Sequence, residues 1–162
     1  ICSSTTSLGA LSISIIGLFN IFGAIIAGAL GKNFTKKYLL CFIYLGRAIV
    51  SIIFITNPIT PISVIIFSSI MGVLWLATVP LTSGIIAEIY GIKYMGLLYG
   101  IVFLSHQLGS FAGVWLGGFI YDIYGSYDLV WWVAIGIGLF SAVVHLPIKE
   151  TPLSLRKELK YM

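Results

Sequence analysis

Charge is what this sequence is short of. Nine basic and five acidic residues among 162 make charged side chains 9% of the chain, against 59% hydrophobic. A soluble domain carries roughly 25% charged residues, so water cannot be the solvent for most of this surface. Cysteine is scarce as well: Cys2 and Cys41 make no disulfide framework. In the topology read below they fall near opposite membrane faces, out of bonding reach. Acids are missing from every long apolar run, since Glu88, Asp122 and Asp128 sit at the edges of the runs. No paired aspartates, Ser/His couple or His-x-x-x-His ligand pair is read inside the runs, so neither an enzyme nor a metal or other cofactor is expected. An initiator methionine and a charged n-region are also lacking. The opening Ile-Cys-Ser-Ser is therefore no signal peptide and reads as the start of a piece of a longer chain.

What is present is apolar sequence, with a mean hydropathy of +1.10, in runs of about 20 residues, the length that crosses ~30 Å of hydrocarbon. Five spans are read, at residues 8–30, 38–56, 62–87, 94–120 and 129–146. The polar opening, residues 1–7, is expected to be a loop outside the membrane. Residues 148–162 are expected to be a soluble tail with a short surface helix. The connections GKNFTKK, NPITP, EIYGIKY and YDIYGSYD hold turn residues. Strands of a β-barrel would be ~10 residues of alternating polarity, and that pattern is absent. The fold class is therefore all-α, a polytopic transmembrane helix bundle.

The basic residues take one side. Lys32, Lys36, Lys37, Lys93, Lys149, Arg156, Lys157 and Lys160 fall in the first and third loops and the tail, while the other loops hold no basic residue. By the positive-inside rule this side is cytoplasmic. Basic residues held in short loops also rule against a nucleic-acid face. Tyr121, Tyr124, Tyr127, Trp131 and Trp132 form an aromatic belt on the opposite side. Five spans put the chain ends on opposite faces, so a preceding span is expected.

Within the spans a few residues stand out. Gly23, Ala27 and Gly31, and separately Gly109, Gly113 and Gly117, recur about one turn apart, a spacing that lets helix backbones approach in lipid. Pro80 cannot donate to the carbonyl four residues earlier, so a kink is expected there, near Trp75, Thr78, Thr82 and Ser83. Freed backbone groups persist in a membrane only beside protein, hydroxyls or water. Asn20, Arg47 and His106, the last followed by Gln107, lie mid-span. A charge at that depth costs about 2.5–3.5 kcal/mol. Arg47 has three uses open to it: pairing with an acid elsewhere, capping carbonyls, or meeting an anionic substrate. His106 is either a hydrogen-bonded core residue or a group that passes a proton near neutral pH.

At GALGKNFTKKYLL the chain resembles the major facilitator superfamily, whose Gly-x-Leu-x-Asp-Arg-x-Gly-Arg-Lys loop joins the second and third helices of each half. Gly28, Leu30, Lys36 and Lys37 match, and Lys32 and Asn33 replace the Asp and Arg. LFNIFGAIIAG, VPLTSGIIAEIYG, YGIVFLSHQLGSFAG and GGFIYDIYGSYDLVWW are similar to the carboxyl half of monocarboxylate carriers and oxalate/formate antiporters. The resemblance implies five of the six helices of that half, alternating access about a midplane site, and a gating loop at Gly28, Lys32, Lys36 and Lys37. It places the first, third and fourth spans on the cavity, hence Asn20, Thr78, Thr82, His106 and Gln107. It sets the second span at the periphery, against the electrostatic case for Arg47 as a substrate ligand.

The function these readings imply is a secondary active carrier, symporter or antiporter, of a small organic anion such as a monocarboxylate. The alternatives are a carrier of a drug or sugar, or a non-transporting five-helix subunit. The partners expected are membrane lipid, a small-molecule substrate and the missing amino-terminal helices of the same chain, with no nucleic acid. The plasma membrane is the expected site.

Overall fold

The computed structural model describes residues 2–154, with side chains described from Ser7 onward. Arg156, Lys157, Lys160 and the surface helix expected of the tail lie outside the described residues. Six α-helices follow in order: α1 (Cys2–Asn33), α2 (Lys36–Thr56), α3 (Pro61–Trp75), α4 (Thr78–Tyr90), α5 (Met95–Tyr124) and α6 (Asp128–His145). A 3₁₀ turn (Ile92–Tyr94) precedes α5. The helices α3 and α4 are two parts of one span, so five segments are long and apolar enough to cross a membrane. No strand occurs among the described residues.

The helix ends show why the spans stop where they do. Thr60 opens α3 with a capping box: its Oγ1 accepts from the Ser63 N–H at 3.1 Å, and its own N–H donates to the Ser63 hydroxyl at 2.8 Å. Gly91 (φ +80°) ends α4 and Gly125 (φ +66°) ends α5, both in the positive-φ region that favours glycine. At the other extreme, α1 begins at Cys2 rather than after residue 7. The polar opening read as a loop is helical from Cys2, because extending an existing helix costs far less than nucleating one.

Packing begins at two glycines. A Cβ on Gly23 of α1 would sit 2.0 Å from the Val73 carbonyl oxygen, and one on Gly72 of α3 would sit 2.7 Å from Phe19 Cβ. The α1 and α3 backbones therefore touch through the two missing methyl groups. Further along α1, Ala27 is buried, and a Cβ on Gly31 would meet Leu81 of α4 at 2.9 Å. Ala27, Leu40, Ala77, Leu81 and Ile85 form a core joining α1, α2 and α4. The stripe on α5 behaves differently: a Cβ on Gly109 or Gly113 meets nothing within 4 Å, and one on Gly117 only just reaches Val130.

Most apolar side chains face outward, Ile13 73%, Phe42 70% and Val114 80% exposed among them. The accessible surface is 11042 Å², whereas a compact monomer of 17.6 kDa would expose about 7,900 Å². On α5 only Gly117 and Ile120 are buried.

The two ends of the bundle differ chemically. At one end Phe54, Phe67 and Trp131 cluster with ring centroids 4.2–5.8 Å apart, and Tyr121 stacks on Tyr127 at 4.5 Å. At the other, Lys36 Nζ pairs with Glu88 at 2.6 Å. The Glu150 carboxylate there accepts the backbone N–H groups of Lys36 and Lys37, and Lys37 Nζ donates to the Leu146 carbonyl at 3.2 Å. Thr35, the N-cap residue of α2, makes no side-chain cap bond, so a carboxylate from beyond α6 closes that helix start and meets its dipole.

Two outcomes follow from this packing. Gly23→Ala is expected to lower stability by about 1–3 kcal/mol, the cost of overpacking a close contact, in thermal unfolding of the detergent-solubilised protein. Gly96→Ala, with nothing within 4 Å, leaves the midpoint unchanged or raised. Glu150→Ala is expected to speed amide hydrogen exchange at Lys36 and Lys37, and Glu150→Gln to speed it less. Unchanged exchange in both variants would remove the cap.

Candidate functional site

The helix break between Trp75 and Thr78 draws together the polar groups of the bundle. Pro80 lies in the first turn of α4, and the break falls at Leu76 and Ala77, one turn before it, rather than at Pro80 itself. The physical reason is that the ring removes the donor for the Leu76 carbonyl four residues back, so the disturbance is displaced to the carbonyl. That carbonyl is instead taken by the Val79 N–H at 3.1 Å.

Asn20 completes the repair. Its Oδ1 accepts the Leu76 N–H at 3.1 Å, which ties the middle of α1 to the break. The Thr78 hydroxyl donates to the Trp75 carbonyl at 3.3 Å, and the Thr82 hydroxyl to the Thr78 carbonyl at 2.8 Å. Both hydroxyls thus bond backward along their own chain, and Ser83 does the same to Pro80 at 3.1 Å. Each oxygen keeps acceptor capacity after donating. Gly28 of α1 faces Pro80, and a Cβ added there would meet the Pro80 Cβ at 4.0 Å, an ordinary van der Waals contact.

Arg47 approaches the same break from α2. Its guanidinium carbon lies 4.8 Å from the Trp75 ring centroid and 5.7 Å from that of Tyr44. Among the described residues these cation–π contacts are its interactions, with no ion pair or hydrogen bond. The side chain lines a cavity of about 490 Å³ between α2, α3 and α6, together with Tyr44, Ser51, Trp75, Ala134 and Ser141. Tyr44 also stacks on His145 at 5.1 Å, and His145 Nδ1 lies 2.6 Å from the Ser141 carbonyl.

The structure therefore brings Asn20, Thr78 and, through Trp75, Arg47 to one place, with Thr82 one turn further along α4. His106 and Gln107 are not brought there. Both are exposed on α5, where the imidazole's ring contact is with Phe103 of its own helix at 6.2 Å. Lys36 and Lys37 of the loop region are engaged with Glu88, Glu150 and Leu146, and Lys32 is exposed. Sequence reasoning had not assigned roles to Tyr44, Trp75, His145 or Glu150 in these contacts. An acid beyond the last span gave no sign that it would return to the start of α2. Among the described residues no three His, Cys, Asp or Glu side chains converge to hold a metal.

Residues 3–160 match the Major Facilitator Superfamily. The chain belongs to this superfamily. It is 30% identical over 135 residues to the uncharacterized MFS-type transporter YcxA of Bacillus subtilis (strain 168), an alignment covering 80% of this chain and 33% of that protein. The chain thus spans about a third of the length of that relative. No solved structure gives a significant match. As a member of the major facilitator superfamily with five apolar spans, the chain is an integral membrane protein and a partial helix bundle of that fold.

Replacing Asn20 by Ala leaves the Leu76 N–H without its acceptor. The expected cost is about 0.6–1.7 kcal/mol, the range for interhelical polar contacts in membranes, against no measurable change for Asn33→Ala at the exposed helix end. Thermal unfolding in detergent reads the difference, and equal midpoints for the two variants would show that Asn20 does not hold the break.

Proposed function

We propose that this chain is part of a secondary carrier that moves a small solute by alternating access, with an organic anion such as a monocarboxylate as the solute. The observation that carries the reading is the helix break, set in a superfamily member. Interrupted helices in lipid survive where their backbone groups are bonded or line a solute path. Here Asn20, Thr78 and Thr82 surround the interruption. They supply acceptors and donors without fixed charge, which suits binding that must also release.

The anion assignment follows from the charges the spans carry. Arg47 and His106 lie mid-span, whereas the acids of the described spans, Glu88, Asp122 and Asp128, are confined to the terminal turns of their helices. A path without an unpaired mid-depth carboxylate disfavours cations. His106 and the adjacent Gln107, on a helix whose middle is exposed, would face the path, with the imidazole, which can both accept and donate a proton, coupling solute to proton movement. The lysine-rich end, with Gly28, Lys32, Lys36 and Lys37, would lie in the cytoplasm and gate the path through the Glu88 and Glu150 contacts. The plasma membrane is the proposed location.

The test is uptake of labelled monocarboxylates by vesicles containing the complete transporter, with sugars and cationic drugs as competitors. His106→Ala is expected to abolish the pH dependence of uptake while leaving folded yield unchanged. Uptake that keeps its pH profile would remove His106 from coupling. Competition by sugars or drugs and not by carboxylates would replace the anion assignment.

A further inference from the structure

We propose that the Arg47 cavity is the seat of a further membrane-spanning helix, from outside residues 2–154, that presents an Asp or Glu side chain to Arg47 at mid-depth. The cavity is about 490 Å³. This cavity is open on one side, an apolar groove along the flank of the bundle into which another helix can be laid.

The walls say what that occupant must offer. Phe67, Met71 and Val130 make them largely apolar, and Ala134 and Ser141 present a small-residue face of α6 along which another helix backbone can lie close. Arg47 is the one charged group lining the cavity, and it stands at the twelfth of the 21 residues of α2. At that depth an unneutralised charge is costly. The two aromatic faces it touches attract the cation but accept no hydrogen bond in the guanidinium plane, whose five N–H donors match a carboxylate two at a time. A lipid chain filling the cavity would leave them unanswered.

A helix is favoured over a small carboxylate by the rest of the molecule. Through Ile101–Phe111 the side chains of α5 are exposed, so the bundle lacks neighbours beyond the cavity as well. The chain also spans only 33% of its relative, which leaves ample polypeptide of the same superfamily to provide a span. The pairing holds Arg47 in the packing of the bundle and withdraws it as a support of the anion assignment, which then rests on His106 alone. It does not depend on which solute is carried.

Photo-crosslinking in native membranes tests this directly. p-Benzoylphenylalanine is placed at Ala134, on the cavity wall, or at Phe140, 69% exposed, in the complete transporter, and adducts are mapped by mass spectrometry. The expected adduct from position 134 is an apolar peptide from outside residues 2–154 that contains Asp or Glu, and position 140 gives no such adduct. Adducts at 134 only to lipid, to a small molecule or to α1–α6 overturn the proposal. Arg47→Glu is expected to lower the yield of folded, monodisperse protein severalfold, with recovery when the crosslinked acid is changed to Arg. Recovery that fails despite the crosslink overturns the ion pair. Neither readout measures transport, so failure here is separate from failure of the carrier assignment.

Discussion

In a membrane no water is available to take up a backbone group that the helix has released, and the arrangement around Leu76 is governed by that constraint. Pro80 releases one carbonyl and the chain must answer it locally. The answer recruits the Val79 N–H for the carbonyl, the Asn20 amide oxygen for the Leu76 N–H, and the Thr78 hydroxyl for the Trp75 carbonyl. Once these bonds are made, α1 is fastened to the middle of the third span and Trp75 has a defined position from which to meet Arg47. The polar chemistry of the bundle is thus organised around a proline whose own role is a missing hydrogen atom.

Tight packing carries the rest, and it is unevenly distributed. Gly23 and Gly72 bring α1 and α3 into backbone contact, while the Leu40–Leu81 core ties α2 to α4. Little hydrophobic driving force acts between helices in lipid, so such close contacts, with a few polar bonds, decide which helices associate. α5 has neither kind through most of its length. Its apolar middle is chemically ready for a neighbour and makes no demand on the helices present, so the solid part of the bundle is built from α1–α4 and α6.

The sequence shows the spans well and the site partly. Runs such as YLLCFIYLGRAIVSIIFI leave no other reading, and Tyr38 to Thr56 falls within α2. Boundaries were less legible: α5 runs to Tyr124, beyond residue 120, because its polar and aromatic last turn continues until Gly125 supplies a positive φ. Asn20 could be placed mid-span from the sequence, but its partner is a backbone N–H in another helix, and backbone donors carry no sequence mark. Two glycine patterns of similar spacing met different fates. The one on α1 is used because α3 offers Gly72 opposite it; the one on α5 meets almost nothing. Spacing encodes the capacity for contact, and the partner surface decides whether it is used. The contact between Glu150 and α2 was the least legible, since it joins residues 113 and 114 positions apart with no pattern linking them.

That long-range cap bears on biogenesis. The second helix of this stretch is written early in the chain, yet the carboxylate that closes its first turn is translated after every other span described here. Until the ribosome has delivered Glu150, the start of α2 must satisfy its amide groups with solvent or lipid headgroups. The start of α2 can therefore take its cap only once α6 and the residues just after it have been synthesised.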